Sequence, residues 1–140
     1  MASRDQGIEP ERDSFKQRRN GPIRSFRDFV AWQKAYALGL EIYKLSGELP
    51  ERERFGLTQQ LRRAVVSIAS NIAEGYGRGG RADYLRFLKF ARGSLYEVDT
   101  QLMYCVDLEC VSAEDYADTK SILDETERVL AGLIRSLDAV

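Results

Sequence analysis

Residues 59–81 read QQLRRAVVSIASNIAEGYGRGGR, and the fold turns on how this run is placed. At a helical period, Leu57, Leu61, Ala64, Val65, Ile68 and Ile72 form one apolar stripe. A second stripe lies beside it: Gln60, Arg63, Ser67, Asn71 and Glu74. Its composition is unusual. A solvated helix face carries Lys and Glu, whereas Ser and Asn inside a helix compete for backbone hydrogen bonds. Their position predicts partners on another helix. The run then meets Gly75, read as a helix C-cap, and a glycine-rich turn through Gly80.

The whole chain fits a helical reading. At 140 residues it is one domain's length, and all three prolines lie at or before Pro50, which leaves a long uninterrupted run for helices. The formal net charge is −1, too small for a global field that recruits nucleic acid. Locally the balance shifts: residues 1–27 hold seven basic and four acidic side chains, and the rest holds 14 and 18. There is no histidine, so the commonest general base and metal ligand are both missing. Cys105 and Cys110 are five apart on a helix and its end, so they point apart, and reduced thiols in a cytoplasmic protein are expected. No apolar run of membrane length occurs.

Residues 1–24 lack periodicity and read as a disordered tail, with Lys16, Arg18, Arg19 and Arg24 as its basic cluster; residues 25–140 read as the folded domain. The first helix is expected from Ser25, with Asp28 completing a capping box, to Ser46. It is apolar on two sides. Phe29, Trp32, Tyr36, Leu40 and Tyr43 line one, and Ala31, Ala35, Leu38, Ile42 and Leu45 the other. Either neighbours cover both sides, or the face with Trp32, Tyr36 and Tyr43 meets a second copy of the chain. The third helix is expected from Arg81 to Leu108 with a core stripe of Tyr84, Leu88, Ala91, Leu95, Val98, Leu102 and Cys105. Beside it, Ser94 and Glu97 are candidate partners for the polar stripe, as Ser94 with Asn71 and Glu97 with Arg63. Gly93 is expected at a close contact. The fourth helix starts at Ser112 and carries one apolar stripe from Thr119 to Leu137 opposite an acidic face. Four helices with short connectors predict an all-α, antiparallel up-down-up-down four-helix bundle.

Chemistry is sparse. Residues 75–80 match G-x-G-x-x-G, but a helix precedes them where a dinucleotide site requires a strand. An anion could rest at the start of the third helix beside Arg78 and Arg81. With Arg86, Lys89 and Arg92 these form the most positive patch outside the tail, a candidate surface for nucleic-acid phosphates. No aromatic platform is read on that arc. No catalytic residue, metal site or cofactor is indicated.

The segments WQKAY (32–36), LPERERFGLTQQLRRAVVSIASNIAEGYGR (49–78) and YLRFLKFARGSLYEVDTQL (84–102) together carry a resemblance. They resemble the four-helix bundle proteins encoded in intervening sequences of large-subunit ribosomal RNA genes, and the related accessory variability determinant of diversity-generating retroelements. The resemblance implies an antiparallel bundle, often a ring-like homopentamer, with no known catalysis. For the retroelement branch it implies a basic surface binding DNA or RNA and a partner reverse transcriptase. The family's polar positions fall on Gln60, Arg63, Ser67, Asn71, Glu74, Gly75, Arg78, Gly93, Ser94 and Glu97. The acidic body and the long tail depart from the pattern.

Overall fold

In a computed structural model, residues 22–139 are described. The reading of residues 1–21 as a tail lies outside them. Ile23, assigned to that tail, is buried in the core, so the packed body begins before Ser25. Ser25 does form the expected capping box: its side chain accepts from the backbone of Arg27, and Asp28 accepts from the backbone of Ser25. The box, however, closes a short 3-10 turn, Phe26–Asp28. Phe29 then adopts extended backbone and buries its ring completely, so helix α1 starts only at Val30 and ends at Ser46.

A second 3-10 turn, Glu51–Glu53, leads into α2 (Leu57–Gly77), where Oε1 of Glu53 accepts from the backbone of Leu57 at 3.1 Å. The expected stop at Gly75 is two residues early, and Gly75 lies inside the helix. A Cβ there would stand 2.7 Å from Cβ of Phe87 and 3.1 Å from the Tyr84 ring, so this glycine lets α2 and α3 meet. Gly79, at φ +85°, makes the turn. Helix α3 spans Arg81–Asp107, and its expected core stripe, Tyr84 through Cys105, is wholly buried. Glu109 closes it in the left-handed region at φ 59°, with Cys110 N–H donating to the Cys105 carbonyl and Glu109 N–H to that of Val106. Helix α4 (Ala113–Asp138) opens on Ser112, whose hydroxyl accepts from the backbone of Asp115 at 3.0 Å.

Each helix packs on the next, and α1 closes the ring against α4. The contacts run in opposite order along each consecutive pair. Ser67 meets Ser94 while Gln60 meets Gln101; Asp99 meets Lys120 while Lys89 meets Asp138. Arg62, early in α2, bonds to Ser46 at the end of α1, and Phe29 packs its ring on Tyr76 and Tyr84. These pairings make an antiparallel bundle, with no strand among the described residues. One end gathers the start of α1 and α3 with the close of α2 and α4. The other gathers the long connector and the start of α4.

Candidate nucleic-acid interface and inter-helix cleft

The polar stripe of α2 faces α3 and is only partly used within the chain. The Ser67 and Ser94 hydroxyls share a hydrogen bond of 2.9 Å, and the Asn71 amide donates to both the carbonyl and the hydroxyl of Ser67. Asn71 thus reaches Ser94 through Ser67, which corrects the expected direct pair. The expected Arg63–Glu97 pair is not made among the described residues, although both line one cleft of about 400 Å³ with Gln60 and Gln101. Glu74 turns outward to Arg78 at 3.2 Å. Gln101 is 7 % exposed; its amide nitrogen donates to Gln60 over 3.4 Å, and its Oε1 has no hydrogen-bond partner among the described residues. Gly93 makes no close contact, contrary to expectation: nothing lies within 4 Å of where its Cβ would be.

The basic residues run along the exposed side of α3 and the turn before it. Arg78, Arg86 and Lys89 are half-exposed, and each has a carboxylate nearby: Glu74 at 3.2 Å, Asp83 at 3.2 Å and Asp138 at 3.9 Å. Such surface pairs contribute about 0–1 kcal/mol each, so a polyanion can displace them. Arg81 and Arg92 are more sheltered, and Nη1 of Arg81 is buried without a hydrogen-bond partner among the described residues. Gly80, the residue before α3, supplies no side-chain cap. The expectation of no aromatic platform on this arc is corrected by the structure. Phe90, Tyr96 and Tyr104 are all exposed, and the Arg86 guanidinium lies over Phe87 and Phe90 at 4.9 and 5.6 Å. Tyr96 donates to Glu127 at 2.9 Å, a bond that with burial raises its hydroxyl's pKa above the ordinary value. The signal was the four-residue step from Arg86 to Phe90 and from Arg92 to Tyr96, which puts each ring on its arginine's face.

On the opposite flank of α2, an apolar groove of about 530 Å³ runs along α1. Trp32 stacks on Tyr36 with centroids 5.0 Å apart, and the Arg62 guanidinium covers Tyr43 at 4.7 Å. Tyr36, Leu40 and Tyr43 remain exposed, whereas the other side of α1 is buried. The thiols are free, as their spacing implies; burial pushes Cys105 up to about 11. No group of side chains able to hold a metal is found among the described residues. No described helix is long and apolar enough to cross a membrane.

These features define a small antiparallel helical bundle with one polar inter-helix cleft, one apolar groove and a basic strip. A family description, 23S rRNA-intervening sequence protein, matches residues 27–132. The chain belongs to that family. Among solved structures it is similar to a protein of unknown function from the S23 ribosomal protein family of Bacteroides thetaiotaomicron, at 24 % identity and a TM-score of 0.70, over 76 % of this chain and 96 % of that one. The comparison with curated proteins gave no match.

Proposed function

We propose that this chain is a non-enzymatic, homo-oligomeric accessory module that binds nucleic acid, or a protein working on RNA such as a reverse transcriptase, through the basic strip of α3. The observation that carries the reading is the strip itself. Arg78, Arg81, Arg86, Lys89 and Arg92 occur within 15 residues with Asp83 as the one acidic residue among them, and Phe90 and Tyr96 stand exposed on the same helix. Cations that neutralise phosphates, set among rings on which bases can stack, are what single-stranded nucleic acid requires. Self-association draws support from the ten large apolar side chains left exposed among the described residues, none of them on α4. A homopentamer is the form that the family resemblance suggests.

A filter-binding or gel-shift titration over a salt series tests the reading. Affinity should fall linearly on a log–log plot, and replacing Arg86, Lys89 and Arg92 by Gln should flatten the slope by about 2–3. Failure to bind DNA or RNA at low salt would favour a second reading, a structural or protein-interaction bundle with no nucleic-acid role. The carboxylates beside Arg78, Arg86 and Lys89 are the observation that favours it.

A further inference from the structure

Three features of the α2–α3 cleft and of the hollow beside it have no use within the chain. Gly93 sits mid-helix with open space where a side chain would be, at a cost in helix propensity that no packing contact explains. Arg63 and Glu97 line the cleft with opposite charges and no ion pair between them among the described residues. Gln101 is more than nine-tenths buried at the same place, with an amide oxygen that receives no hydrogen bond among the described residues. The notch over Gly93 is bordered by Tyr96 and Glu97, three and four residues on, and opens into a space of about 650 Å³. Arg63 lines the adjoining cleft, and the two hollows share Gln60, Glu97 and Gln101. That volume is of the size that holds a small planar ligand.

The donor and acceptor inventory narrows the ligand. A carboxylate offers a fork of acceptors, the guanidinium of Arg63 and the amide of Gln60 offer donors, and Gln101 offers one further acceptor. An arginine side chain would satisfy Glu97 but set a second cation beside Arg63. A neutral ring with two parallel N–H donors and an adjacent carbonyl answers both charges. From this we propose that the notch over Gly93 binds an unpaired guanine base, presented by a free nucleotide or by a single strand. The guanine N1–H and exocyclic amine donate to Glu97, its carbonyl accepts from Arg63 or Gln60, and the ring lies against Tyr96. The second exocyclic N–H is left for Oε1 of Gln101. Adenine turns a lone pair toward the carboxylate and is refused; cytosine and uracil each offer the fork a single donor group. The single-strand arm rests on the nucleic-acid reading above, and the mononucleotide arm does not.

The test is calorimetric titration of the full chain with GMP, AMP, CMP and UMP, then with oligouridylates carrying or lacking guanines. GMP should bind about tenfold or more tightly than AMP, as a two-pronged contact requires. Glu97→Gln should erase that preference. Gly93→Leu should abolish GMP binding in a chain that circular dichroism shows to be folded. Replacing Arg86, Lys89 and Arg92 should weaken the oligonucleotides and leave GMP unaffected. Equal affinity for the four nucleotides, or no affinity for GMP, overturns the proposal, as does binding of an arginine-rich peptide in its place. So does a Gly93→Leu chain that changes oligomeric mass while keeping its affinity for GMP, since the notch would then be a contact between copies. Oligonucleotide binding that is salt-dependent but indifferent to guanine sinks the notch and leaves the phosphate reading standing; GMP binding without oligonucleotide binding does the reverse.

Discussion

Gly75 and Gly93 are both glycines inside helices, and they occupy opposite environments. At Gly75 a methyl group would be forced against Phe87 and Tyr84, at 2.7 and 3.1 Å, where the backbones of α2 and α3 approach. Gly75→Ala should therefore lower stability by about 1–2 kcal/mol in urea denaturation, overpacking outweighing the gain in helix propensity. Gly93→Ala meets nothing and should raise stability by about 1 kcal/mol. Equal effects from the two substitutions would contradict this account of the α2–α3 contact. The thiols differ in the same way. Cys105 is buried with its pKa raised to about 11, so almost none is thiolate at pH 8, whereas Cys110 is partly exposed. A thiol reagent at that pH should modify one cysteine per chain in the native state and the second only on unfolding. Rapid modification of both would mean that the end of α3 opens.

At the scale of the helices, most of the bundle was legible because it rests on periodicity. The core stripe of α3, the single stripe of α4 and the buried side of α1 all follow from which residues recur on one face. What was not legible depends on neighbours. Ser25 and Asp28 specify a capped turn, but only the burial of Phe29 decides that the turn is 3-10 and that α1 starts after it. Gly75 reads as a stop because glycine usually ends helices; its actual role depends on Phe87, which comes twelve residues later. The polar stripe was visible by composition, yet its pairing was not, since Ser67 reaches Ser94 by a register that spacing alone does not set. Nor was it legible that Tyr104 stays exposed, because aromatic residues at helical spacing are usually core. The uncovered face of α1 supports a prediction of its own. Tyr36, Leu40 and Tyr43 are exposed beside the apolar groove, and α4 has no large exposed apolar side chain. Light scattering should give a multiple of the 15.9 kDa chain mass. A Tyr36→Ser, Tyr43→Ser chain should shift toward the single-chain mass with its helicity intact. A wild-type chain that is monomeric at micromolar concentration would remove the reason for that face.

Across the whole molecule, a net charge of −1 conceals a separation along the bundle axis. The end where α1 and α3 begin comprises residues 22–30, 74–89 and 131–139, with seven basic and four acidic side chains. The opposite end, residues 41–65 and 107–118, has nine acidic and five basic. At 1.5 Å per residue, the 27 residues of α3 hold these ends roughly 40 Å apart. Screening at physiological salt acts over about 8 Å, so a phosphate at the basic end is scarcely affected by the acidic one. Local charge should then govern binding, and net charge should not. Two variants separate the two quantities. Arg78→Gln with Arg81→Gln makes the net charge more negative at the basic end and should weaken a bound oligonucleotide about tenfold or more near physiological salt. Glu48→Gln with Glu51→Gln shifts the net charge by the same amount in the other direction, and should change affinity less than about twofold there, with a larger gain only in dilute salt where the screening length grows. If the two pairs act equally and oppositely at all salt concentrations, the chain attracts its partner by overall charge and the basic strip is not the contact. If neither pair matters while binding persists, the contact lies on the apolar groove or the polar cleft.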